Sequence, residues 1–115
     1  MSDESRLPTD ILTSAIIRTA AREGIAIVVR QRGDNANGAV LLKINKLDGT
    51  ARVLSQARFD EEVIWNPVSR KDPMSEAEAE IYLEKQLRMD PDLWLIEIED
   101  KEGRLWFPGR IAEFN

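Results

Sequence analysis

Four carboxylates late in the chain, Asp90, Asp92, Glu97 and Glu99, have the types and spacing from which metal chemistry could be built. In an extended strand Glu97 and Glu99 point to one side, about 7 Å apart, with Asp90 and Asp92 just upstream. Oxygen ligands of this kind suit Mg²⁺, and a hydrolase or nuclease would use the ion to activate water. Such nucleases place an Asp and a Glu-x-Lys together, and here Glu97 and Glu99 are followed by Asp100 and Lys101. A solvated strand face beside an Asp-Pro-Asp loop is the simpler reading, and the metal-dependent enzyme is kept as an alternative.

The opposite charge gathers elsewhere. Arg30 and Arg32 alternate on one strand, while Lys43, Asn45 and Arg52 are expected on the polar face of a hairpin. Aligned across a sheet, they would form a surface for a phosphate or an acidic protein. No aromatic residues are interleaved with them, so single-stranded bases would lack a stacking platform. A third set, Glu76, Glu80 and Glu84, repeats every four residues. Helix stability does not select that row, because like charges at this spacing repel by about 0.2–0.5 kcal/mol per pair. The plain reading is an exposed face; the sharper one is a basic partner.

Composition narrows the chemistry. The 115 residues contain no cysteine and no histidine. A thiol nucleophile, a thiolate metal site and an imidazole base are therefore excluded, and no cofactor is expected. Glycine-rich phosphate loops, dinucleotide fingerprints and nucleophile elbows are missing. The net charge of −5 argues against general nucleic-acid binding. That charge is uneven: residues 1–58 hold nine Lys/Arg and six Asp/Glu, residues 59–115 seven and fifteen. The apolar run Ile25–Val29 is too short to span a bilayer, and Ser2-Asp3-Glu4 is acidic where a secretory signal is basic. The expected compartment is the cytoplasm.

The elements that must position these residues can be read from periodicity. Residues 1–6 are a loose polar end, and 7–115 form one domain. Ile11, Leu12, Ala15, Ile16 and Ala20 predict a helix over 10–23, capped by Thr9 or Asp10 and closed by Gly24. Strands are expected over 25–31, 39–47, 51–58, 62–66 and 93–100, with 104–107 returning antiparallel and Ile111 and Phe114 docking behind. Asp48-Gly49 marks a hairpin. A two-residue loop would set Ile44 opposite Val53, with Val40, Leu42, Ile44 and Val53 inward and Lys43, Asn45 and Arg52 outward. A three-residue loop would pair Leu42 with Leu54 instead. Ser75-Glu76-Ala77-Glu78 is a capping box opening a second helix over 76–88. The expected fold is α+β, an antiparallel β-sheet with both α-helices packed on one face.

Leu7-Pro8-Thr9-Asp10, Arg32-Gly33-Asp34 with Gly38-Ala39-Val40-Leu41, Leu47-Asp48-Gly49-Thr50 and Asp90-Pro91-Asp92-Leu93-Trp94 occur in that order. In these motifs the chain resembles a family of short bacterial proteins of unknown function, domain family 1491. The resemblance implies a stand-alone bacterial protein and carries no activity or catalytic residue with it. The leading expectation is a small non-enzymatic binding or accessory protein. Its partner would be another protein or a second copy, with nucleic acid and membrane disfavoured; nucleic-acid binding through the basic sheet face of Arg30, Arg32, Lys43 and Arg52 is kept as a further alternative.

Overall fold

The computed structural model describes residues 7–113. Helix α1 (Thr9–Ala21) leads into β1 (Ala26–Gln31), followed by β2 (Val40–Asn45), β3 (Thr50–Phe59), β4 (Glu62–Pro67) and the short β5 (Met74–Ser75). Helix α2 (Glu76–Met89), β6 (Trp94–Glu99) and β7 (Arg110–Ile111) complete the chain. Local signals set most of these bounds. Gly24 takes φ +76° and ends the first helical segment, and the Ser75–Glu78 capping box satisfies two backbone donors at the start of α2. At α1 the cap position is Pro8, without a side-chain cap bond. Asn35, from a distant loop, instead accepts the Asp10 N–H at 3.0 Å.

The strands form one mixed sheet in the order β1-β6-β2-β3-β4-β7, with β5 added beside β3. Most neighbours are antiparallel, as expected, but β2 pairs with β6 and β4 with β7 in parallel. The parallel β2–β6 pair follows from α2, which carries the chain across the sheet and delivers β6 between β1 and β2.

That crossover also corrects the expectation of helices on one face. Val40, Leu42 and Ile44 of β2 and Trp94, Ile96 and Ile98 of β6 cluster with Leu12, Ile16 and Ala20 of α1. The alternate residues Leu41 and Leu95 cluster with Ala51, Val53, Ala79 and Leu83, the last two from α2. Successive strand residues face opposite sides, so α1 and α2 cover opposite faces of the sheet. The central strands are accordingly apolar on both sides, as in Val40-Leu41-Leu42 and Trp94-Leu95-Ile96.

The hairpin takes the three-residue loop. Lys46 and Thr50 close it through an N–H to carbonyl bond of 3.1 Å, and Leu47 and Gly49 adopt φ +62° and +88°. Leu42 faces Leu54, Lys43 faces Val53 and Ile44 faces Arg52. This one-residue difference from the two-residue loop exchanges the faces of β3. Val53 belongs with Lys43 on the α2 side, and Arg52 leaves the Lys43 side altogether.

Residues 104–107 form no strand. Their loop is organised by Asp100, whose carboxylate is fully buried. It accepts bonds from Arg104 Nε (2.8 Å), Trp106 Nε1 (2.9 Å) and the Glu102 N–H (2.9 Å). Burial pushes the Asp100 carboxyl up, but these hydrogen bonds and the Arg104 charge bring it below its ordinary value. Ile111 lies in β7 beside Trp65, whereas Phe114 falls outside the described residues.

Candidate functional site

Lys43 is the pivot of a polar cluster joining α2 to the sheet. It sits in the central strand β2, with Val53 on one side and Glu97 of β6 on the other. Its side chain is 2% exposed, so the ammonium must be satisfied by the protein. Glu80 of α2 meets Nζ at 2.7 Å, with Glu97 at 3.5 Å and Glu76 at 3.8 Å. Glu76 and Glu80 are one helical turn apart and so can both reach down toward the same strand.

Arg30 completes the cluster from β1. The register runs Val29 opposite Ile96 and Gln31 opposite Leu95, leaving Arg30 as the extra residue of a β-bulge. From there its guanidinium holds both oxygens of Glu80 at 2.7 Å and Glu97 Oε1 at 3.1 Å. Asn45 Nδ2 donates to the other Glu97 oxygen at 3.2 Å. The Arg30 bonds, with the Lys43 ammonium beside them, hold the Glu80 carboxyl at about 2, well below its ordinary 4.5. Reciprocally, Glu80 raises Arg30.

Of the five residues expected to form a basic surface, Arg30, Lys43 and Asn45 therefore come together, but around carboxylates of their own chain. The other two are elsewhere. Arg52 grips Asp72 through Nε (3.0 Å) and Nη2 (2.6 Å). Arg32 pairs with Asp10 at 3.0 Å and lies over the Trp94 indole, 5.3 Å from the ring centre. Reading the sequence missed Glu76 and Glu80 as members of the cluster. The signal was present in the four-residue repeat of like charge, whose basic partner is internal; Glu84 remains on the exposed side of α2.

The four carboxylates of the metal reading do not converge. Asp90 accepts the Asp92 N–H at 3.0 Å inside their own turn, Glu97 belongs to the Lys43 cluster, and Glu99 ends β6. Roughly 20 Å of extended chain separates Asp92 from Glu99. Among the described residues no three or more potential ligands stand together as a metal site.

The segments Arg32-Gly33-Asp34, Gly38-Ala39 and Asp90-Pro91-Asp92-Leu93-Trp94 do converge, on the loop between β1 and β2. The Asp34 N–H donates to the Asp92 carbonyl (3.0 Å), Trp94 Nε1 donates to the Asp34 carbonyl (3.1 Å), and the Trp94 N–H to the Ala39 carbonyl (2.8 Å). A Cβ on Gly33 would stand 2.3 Å from the Asp92 oxygen, and one on Gly38 2.4 Å from the same atom. Both glycines are demanded by close backbone approach. The Arg-Gly-Asp tripeptide is thus packing chemistry. Beside it, a polar groove of about 410 Å³ is lined by Thr9, Asn35, Asn37, Gln56 and Arg58 among others.

The fold and this charged cluster define a two-helix α+β domain with a mixed sheet. The family model "Protein of unknown function (DUF1491)" matches residues 7–108, and the chain belongs to that family. Solved structures agree. The crystal structure of a DUF1491 family protein from Caulobacter crescentus CB15 is 36% identical, covering 92% of this chain and 99% of that one, with a TM-score of 0.78. The NMR structure of a DUF1491 family protein from the same organism is 37% identical over 92% and 96%, with a TM-score of 0.76. The solution structure of protein Atu0922 from A. tumefaciens is 26% identical over 82% and 86%, with a TM-score of 0.67. No curated protein matches the chain. Among the described residues no helix is long and apolar enough to cross a membrane.

Proposed function

We propose that this chain is a small non-enzymatic binding or accessory protein that works through a protein partner, in the cytoplasm of a bacterium. One observation supports this best. Each cationic residue of the expected basic surface is engaged by a carboxylate of its own chain: Arg30 and Lys43 by Glu80 and Glu97, Arg32 by Asp10, and Arg52 by Asp72. An anionic ligand would have to displace these carboxylates, two of which hold the nearly buried Lys43. A surface already neutralised in this way fits a role as scaffold better than as a nucleic-acid face. It leaves apolar and mixed surfaces to make contacts.

Size-exclusion chromatography of an extract of the cells that make the protein tests the reading. It predicts elution above the 13.1 kDa monomer mass together with a second polypeptide in fixed ratio. A lone monomer would contradict it, as would turnover of any substrate abolished by changing surface carboxylates. Oligonucleotide affinity falling steeply with salt would favour nucleic acid instead.

A further inference from the structure

Strand β3 is longer than the partner on one of its sides. Its pairing with β2 reaches only to Ser55, opposite Leu41, whereas its pairing with β4 continues to Phe59, opposite Glu62. On the β2 side the backbone of residues 56–59 therefore meets no strand among the described residues. A row of unpaired N–H and C=O groups is a template for one more strand. The polar groove of about 410 Å³ lies at this stretch. Gln56 and Arg58 line it from β3, Asn35, Asn37 and Gly38 from the β1–β2 loop, and Thr9 from α1.

The side chains point the same way. Leu54 faces Pro67, Gln56 faces Trp65 and Arg58 faces Val63, so Gln56 shares one sheet face with Leu54, Val63 and Trp65. Those three belong to the core, and Gln56 sets an amide beside them. Among the described residues the Gln56, Asn37 and Thr9 side chains form no hydrogen bond, and Asn35 uses only its oxygen, on the Asp10 N–H. A polar residue that breaks the pattern of a core face, with no partner of its own, is the local exception expected at a binding site.

We infer that this groove takes an extended peptide segment of a partner protein, added as a strand along residues 56–59 of β3. The inference rests on the partner-binding reading above and names how that binding occurs. The open edge of β3 reads the backbone of the segment. The Gln56 and Asn37 amides each carry donors and an acceptor, and so match peptide groups that the ladder leaves unpaired. The lining holds a guanidinium and no carboxylate, which suits a neutral or acidic segment. It holds no aromatic residue either, so a sugar ring or a nucleobase would lack a stacking platform.

Random heptapeptides displayed on phage and selected on the purified chain supply the probe, and NMR locates it. The expected peptide shifts the backbone amides of residues 56–59 and the side-chain amides of Asn37 and Gln56, with cross-strand contacts to β3. Gln56→Leu should weaken that peptide at least tenfold at an unchanged or higher melting temperature, and should release the second polypeptide in the cell extract. N-methylation of the peptide at a ladder N–H should also cost at least tenfold. Selection of no peptide, or of peptides that shift other surfaces, would overturn the inference. So would an oligosaccharide or oligonucleotide that shifts these amides where peptides do not. A second polypeptide that stays bound to the Gln56→Leu chain would overturn it too, while leaving the partner-binding reading standing. Elution of the wild-type chain as a lone monomer would remove both.

Discussion

Replacing Glu80 by glutamine takes the 2.7 Å partner away from an ammonium that is 2% exposed. Breaking a buried pair by removing one member costs about 3–5 kcal/mol, because the remaining charge is left without compensation. The lower end applies here, about 3 kcal/mol, since Glu97 and Glu76 stand 3.5 and 3.8 Å from Nζ and can close in. Replacing Lys43 by methionine should be milder, about 1 kcal/mol, as the carboxylates left behind keep Arg30 and are partly solvated. The double variant Lys43→Met with Glu80→Gln should be more stable than the sum of the singles by about 1–3 kcal/mol. Urea unfolding followed by the fluorescence of buried Trp65 and Trp94 reads all four proteins. Additive effects, or a Glu80→Gln chain within about 0.5 kcal/mol of wild type, would refute the reasoning.

Further outcomes follow from other parts of the molecule. The Glu80 carboxyl is held at about 2 against an ordinary 4.5, so the unfolded chain binds more protons between those values. Stability from this group is therefore complete above pH 4.5 and lost as pH falls toward 2; urea midpoints should drop across that window, less steeply in Glu80→Gln. Gly33→Ala places a Cβ 2.3 Å from the Asp92 oxygen, whereas a Cβ at Gly24 meets nothing within 4 Å. Thermal melts should show Gly33→Ala losing more than about 2 kcal/mol and Gly24→Ala only the left-handed cost of about 1 kcal/mol. Ser75→Ala removes one half of the capping box and should cost about 1 kcal/mol, measurable in urea, with α2 fraying first in hydrogen exchange.

Much of this architecture was legible in the residues themselves. Both helices, the strand segments of the sheet's centre and the capping box came from periodicity and local chemistry, because those signals act within a few residues. What escaped was set by contacts between distant segments. Whether Asp48-Gly49 closes a two- or three-residue loop depends on what covers each face of β3, and that decides the side taken by Arg52 and Val53. The placement of the helices on opposite faces was written in the doubly apolar β2 and β6, but the short runs could equally have been ordinary buried strands. Lys43 looked exposed because it alternates with apolar residues; only α2, arriving from 33 or more residues away, turns that position into an interior one. The Glu76–Glu80 spacing hinted at a cation without saying which.

The central claim is that Arg30 and Lys43 are occupied by their own chain, with Glu80 locked between them. A carbon-13 NMR titration of the Glu80 side-chain carboxyl measures this directly. The account predicts a midpoint near 2. A midpoint at the ordinary value of 4.5 would show Glu80 unengaged and contradict the account.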